Sequence, residues 1–473
     1  MIKKRLALQM VFLLLSIAGY TQYQYIHEVL EYTPAPGQFI NKAPLGLPES
    51  AESIVGTITG ALTLGAWGGY VVFRFEEPVQ NHPDNPFGID FIIFGNPTAT
   101  WAEPGIVWVM QDENKNGIPD GTWYQLAGSD YFFSSTKHNY EVTYFNPQSE
   151  TAVDVPWEDN LGDSGFIFAN EIHTQPYYPS NEFFPHIPYE QYTLQGIRIE
   201  GAVDKSNPAF IKSYPRAFGY ADNVPRGNAP FHLPDNPYTT EVENAGGDGF
   251  DISWAIDGDG NYVELDEIHF IKVQTAMLDH GGWLGEVSTE ITGAVVVEPN
   301  PSITGILDMI VVKDLPVVIN QNPYHLEAFA FHKGRLQPDR TILWETDLDG
   351  VYVDDEGWLH FDVSGELTLT AYWEENPDIS TVVTTTLDYN PVNASELQYI
   401  TTRVYPNPAS DYIMVETDHE AIFILYDLRG AKLREFLHQG GTMRFDTGSL
   451  VPGVYLLTST GRNEFFQQKI IIR

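Results

Sequence analysis

Cysteine is absent from all 473 residues. That excludes disulfide staples, thiolate nucleophiles, Cys-ligated zinc and a lipid anchor on an N-terminal cysteine. Positive charge is scarce. The chain has 25 Lys and Arg against 64 Asp and Glu, a formal net charge of −39. That balance repels nucleic acid and anionic membrane surfaces, leaving cations and neutral molecules as the favoured ligands. Long apolar runs are lacking beyond residue 18, so no later segment can cross a bilayer as a helix. The one such run follows Lys3-Lys4-Arg5, and residues 1–21 read as a secretory signal peptide. No P-loop, Rossmann glycine pattern or H-E-x-x-H helix is present.

What is present is β pattern. Short β-branched and aromatic runs at 54–59, 70–75, 90–94, 106–110, 123–126 and 140–144 are separated by Gly, Pro, Asn and Asp clusters. The pattern returns at 250–256, 262–265, 268–273 and 292–297, and no convincing amphipathic helix interrupts it. This predicts an all-β chain. Residues 22–297 form a jelly-roll β-sandwich, with 22–50 as an irregular arm and 149–240 as a long loop insertion. Residues 298–392 form an Ig-like sandwich. A linker and a small terminal β-sandwich fill 393–473. Residues 401–473 carry equal numbers of acidic and basic side chains, so the whole negative charge belongs to the first 400 residues. That shift marks a domain boundary.

One loop has the spacing of a cation site. Between the runs at 106–110 and 123–126, Asp112, Asn114, Asn116, Gly117 and Asp120 stand at positions 1, 3, 5, 6 and 9 of a calcium-loop pattern, and the Ile118 carbonyl takes position 7. Alternate oxygens converge on one hard cation, and glycine at position 6 permits the sharp turn. Position 12 is Trp123 where a bidentate Glu would sit, and the flanks are strands, so an EF-hand is excluded. Calcium is the expected cofactor. A plain hairpin turn is the competing reading.

The C-terminal stretches VYPNPASDYIMVE (404–416), ILYDLRGAKL (424–433), FDTGSLVPGVYLL (445–457) and QKIIIR (468–473) resemble, in that order, the type A sorting domain of the type IX secretion system. The resemblance implies that the secretion machinery is a partner. It also implies passage across the outer membrane of a Gram-negative bacterium, removal of this domain, and often attachment of the rest to surface lipopolysaccharide. The stretches GGYVVFRFEEPVQN (68–81), GIDFIIFGN (88–96), GIVWVMQDENKNGIPDGTWYQLAGS (105–129) and GGDGFDISWAID (246–257) resemble galactose-binding-like jelly rolls of bacterial cell-surface proteins. In such folds the sheets are scaffold and a rim of loops binds ligand.

Among loop aromatics, Trp101, Trp157, Tyr177 and Tyr178 lie beside Pro and Asn and are the candidate ligand platform, whereas Trp108 reads as core. Gly162-Asp163-Ser164-Gly165 matches a protease nucleophile motif without its His partner, and Ser164 reads as a turn residue. Asp257-Gly258-Asp259-Gly260 also reads as a turn. No residue is assigned to catalysis. The expected function is a secreted, non-catalytic surface protein that captures a neutral ligand, a glycan first. The alternatives are corrinoid or other nutrient capture beside an outer-membrane uptake system, a glycoside-active hydrolase, and an adhesin.

Overall fold

A computed structural model describes residues 23–389, 402–427, 431–461 and 464–473. The expected signal peptide, and most of the linker before the terminal domain, lie outside the described residues. The molecule is all-β. It divides into two compact units, one ending at Tyr389 and one following it. Among the described residues no helix is long and apolar enough to cross a membrane.

The first unit is built on a six-stranded sheet. Its strands run, in spatial order, Glu28–Thr33, Tyr70–Arg74, Phe270–Thr275, Gly105–Met110, Tyr124–Leu126 and Ala255–Ile256. All neighbours pair antiparallel. Successive side chains point to opposite faces, so Val71, Phe73, Val107, Val109, Ile271 and Val273 enter one core. Phe91–Phe94, paired with Asp248–Phe250 and Gly293–Val296, covers that core from the other side. Residues expected as an irregular arm supply the edge strand Glu28–Thr33.

The run at 54–59 is not a strand. Pro48 opens a short helix, Pro48–Glu52, with the Ser50 hydroxyl accepting from the Leu47 N–H, and Gly56 then turns at φ +69°. Local capping overrides the β-branched composition. The 149–240 insertion is not strandless either. Gln191–Arg198 pairs with Lys137–Phe145, and Val155–Asp159 and Ser164–Ile167 extend the same sheet.

A second set of strands follows in the same unit. It includes Asp308–Val312, Ala328–His332, Ile342–Thr346, Gly365–Trp373 and Asn376–Leu387. Phe331 packs on Phe218 at 5.1 Å, and Phe329 on Phe133 at 5.3 Å. Arg216, buried, bridges Asp130 at 3.1 Å and Asp314 at 2.8 Å. The second unit is one five-stranded sheet. Its strand Tyr412–Asp427 pairs with Arg403–Tyr405, Lys432–Asp446 and Gly453–Gly461, and Glu464–Ile472 lies outermost. Ile413, Val415, Phe423, Leu425, Leu457 and Ile470 form its separate core.

Candidate functional site

The 112–120 loop folds its polar side chains inward. Asp112 accepts from the Asn116 and Gly117 N–H groups at 3.1 and 2.8 Å, and Asn116 Oδ1 accepts from the Ile118 N–H at 2.7 Å. Asp120 accepts from the side-chain amides of Asn114 and Asn116 at 3.1 and 2.9 Å. The Ile118 carbonyl accepts from the Asp120 N–H at 2.8 Å. Gly117 at φ +72° and Lys115 at +57° make the reversal. All the residues that sequence spacing nominated are thus brought together.

The four nominated aromatics are not. Tyr177 and Tyr178 are 1% and 3% exposed. Tyr178 donates to the Pro188 carbonyl at 2.7 Å and packs edge-on against Tyr192, and Tyr177 accepts from the Asn170 N–H. Burial pushes the Tyr177 hydroxyl up to about 12. These two rings therefore join the buried core of the first unit and pin the insertion to it, correcting their reading as a rim: a segment this long must bury something to hold its shape. Trp157 is half-buried and lies so close over Gly165 that an added Cβ there would meet its ring at 2.7 Å. Trp101, also half-buried, packs beside Gly281. Among the described residues none of the four rings stacks on another.

An aromatic cleft lies elsewhere, on the face of the six-stranded sheet turned away from its core. Its volume is about 680 Å³. Trp108, Lys272 and Gln125 occupy directly paired positions on three adjacent strands and line it. Trp123, at the exit of the 112–120 loop, stands at one side, while Tyr131, His138 and the Asp257–Gly260 turn form other parts of the lining. The Lys272 ammonium sits 4.9 Å from the Trp108 ring centre and 5.0 Å from that of Trp123. It makes no ion pair among the described residues, and burial pulls it down to about 8. Gln125 is 2% exposed, and among the described residues neither its buried Oε1 nor the buried Nε1 of Trp108 has a hydrogen-bond partner. His138 meets Tyr131 edge-on at 4.6 Å, and burial lowers its pKa. Tyr140 donates to Asp159 at 2.6 Å and accepts from Arg198 at 3.0 Å, which fixes that wall.

Sequence reasoning placed Trp108 in the core as part of an alternating strand; it is half-buried against the cluster of Ile106, Ile197 and Tyr220, and it lines the cleft as well. The available signal was polar: Lys272 and Gln125 each stand between two apolar or aromatic neighbours in a strand. The Asp257 turn, read as purely structural, lines the cleft as well.

A second polar centre went unnoticed in the sequence. Glu103, Asp222 and Glu290 are buried with their carboxylates within 4.8 Å of one another. Burial, then the charge of Asp222, raises Glu103 to about 8; Asp222 and Glu290 rise well above their usual range. The Thr63 hydroxyl bonds Glu290 at 3.0 Å and lies 2.6 Å from that of Ser288. Residues far apart in sequence meet here, so spacing could not reveal it.

Residues 403–473 match the secretion system C-terminal sorting domain family. The protein is therefore exported to the cell surface or beyond, and the type IX secretion machinery is its partner in transit. No curated protein matches the chain. Among solved structures, the Yersinia pseudotuberculosis adhesin InvE shares 11% identity over 35% of this chain, at a TM-score of 0.13; the match spans 58% of the adhesin. Drosophila OTK extracellular domains 3–5 share 10% over 81% of this chain and 97% of that one, at 0.21. Dimeric latent PorU from Porphyromonas gingivalis shares 11% over 80% and 32%, at 0.15. At TM-scores this low the likenesses carry no argument for a shared function.

Proposed function

We propose that this exported protein is a non-catalytic binding protein that captures a saccharide in the cleft floored by Trp108, Lys272 and Gln125. The mixed make-up of that floor carries the reading. A purely apolar ligand leaves the Lys272 ammonium and the carboxylates of the cleft rim without polar partners, and desolvating such groups unmet is costly. A nucleic acid meets the field of a net charge of −39. A sugar offers C–H faces to Trp108 and Trp123. Its hydroxyls suit Gln125, Lys272 and the carboxylates of Glu141, Asp257 and Asp259, all of which line the same cleft.

Calcium belongs to this proposal. Two carboxylates, two side-chain amides and the Ile118 carbonyl offer the hard oxygen donors calcium takes. Asp112, Asn114, Asn116 and Asp120 already lie within hydrogen-bonding reach of one another. An ion there would brace the loop whose far end carries Trp123.

A glycan array followed by calorimetry tests the reading. Replacing Trp123 by Ala is expected to weaken saccharide binding by about 1–3 kcal/mol, the scale of a lost aromatic anchor, at unchanged melting temperature. An array on which no saccharide binds overturns it.

A further inference from the structure

The cleft does not end at Lys272. A second hollow of about 290 Å³ adjoins it, lined by Glu31, Tyr70, Val72, Pro119 and Thr193, and the two share Trp123, Gln195 and Lys272. Alone, the second hollow falls at the bottom of the roughly 300–1,000 Å³ that encloses a small ligand. Joined to the first, it lengthens one site.

The floors of the two hollows form a single line. Glu31 pairs with Val72, Val72 with Lys272, Lys272 with Trp108, Trp108 with Gln125, and Gln125 with Ile256. One residue from each of six adjacent strands makes this row, and every one of them lines a hollow. With strands about 4.8 Å apart, five gaps give a floor about 24 Å long. The facing wall is continuous too. Glu141 and Gln195 sit opposite each other on paired strands with their side chains joined at 2.8 Å, and Thr193 follows on the same strand. Gln274, two residues beyond Lys272, lines the second hollow and ties the floor to the facing wall by donating to the Gly68 and Gln195 carbonyls at 3.0 Å each.

We infer that the two hollows are one groove crossing the strands, and that its ligand is a linear oligosaccharide of several rings. The inference rests on the reading of the cleft as a saccharide site. A single ring or a compact macrocycle uses the first hollow and leaves the second idle. A chain laid along the row meets Trp108, then Lys272 and Trp123, then Tyr70 and Glu31.

Calorimetry with ladders of one to six units of β-linked glucose, α-linked glucose and α-linked mannose decides the matter. Affinity is expected to rise about tenfold or more from one unit to four, with each tenfold worth about 1.4 kcal/mol. Thr193 is exposed, so Thr193→Trp fills the second hollow without entering the core. It is expected to erase the gain with length and leave the single sugar unaffected. Equal affinity for one and four units, or an equal loss at every length in the variant, overturns the groove and leaves the cleft standing. Should the variant unfold, the wild-type ladder alone still decides. Binding of no saccharide at any length removes the cleft reading and the groove with it.

Discussion

Lys272 shows how a single residue betrays a site. It stands in a strand between Ile271 and Val273, both buried, and among the described residues it makes no ion pair, although the charge of Glu31 acts on it. Gln125 stands likewise between two apolar or aromatic neighbours, and both were legible on that ground. Trp108 was not, because an aromatic residue suits either face of a sheet. Tyr177 and Tyr178 misled in the other direction: their Pro and Asn neighbours suggest surface, yet both rings join the main core of the first unit. The carboxylates of Glu103, Asp222 and Glu290 make a prediction at this scale. Glu103 is about 4.5 unfolded and about 8 folded, so the folded state binds the proton more tightly. Its contribution to stability is complete below about pH 4.5 and is lost as pH rises through about 8. Melting temperature should fall across that window, and Glu103→Gln should flatten the fall. An unchanged slope in the variant would show that other groups govern it.

At the scale of the element, the strands Tyr70–Arg74, Gly105–Met110 and Phe270–Thr275 were readable from β-branched composition to within a few residues, whereas the edge strand Glu28–Thr33 was not. The strand Gln191–Arg198 was missed although its buried positions Tyr192, Leu194 and Ile197 nearly alternate. Surrounding Pro and Asn had marked the segment as loop, and pairing with Lys137–Phe145 decided otherwise. The 112–120 loop was the most legible element, since its inward folding follows from residue spacing and one glycine. Its prediction is thermal. A ligand that binds only the folded state stabilises it by mass action, so calcium should raise the melting temperature over that in excess chelator. Asp112→Ala should abolish the difference. Identical melting of the wild-type protein in calcium and chelator would reduce the loop to a hairpin turn.

For the whole molecule, the charge shift was read at residue 401, whereas the structure groups everything up to Tyr389 in one unit and gives the unit that follows a core of its own. Contacts between sandwiches inside the first unit were illegible: Arg216 joins Asp130 to Asp314 across nearly a hundred residues in each case, as a sum over space and not over sequence. Deleting residues 401–473 should leave the first unit folded, because its core is independent. The shortened protein should remain inside the cell envelope. Whole-cell protease shaving measures this, and normal surface display of the truncated protein would refute the tail's role in sorting. The row from Glu31 to Ile256 has an evolutionary consequence. Its six members come from six stretches of the gene, and for Val72, Lys272 and Trp108 both neighbours in sequence enter the core on the opposite side of the sheet. Drift can therefore rewrite these three letters of the floor one at a time while the core next to each stays constant, so related chains could come to prefer different ligands by single, separable steps on one unchanging scaffold.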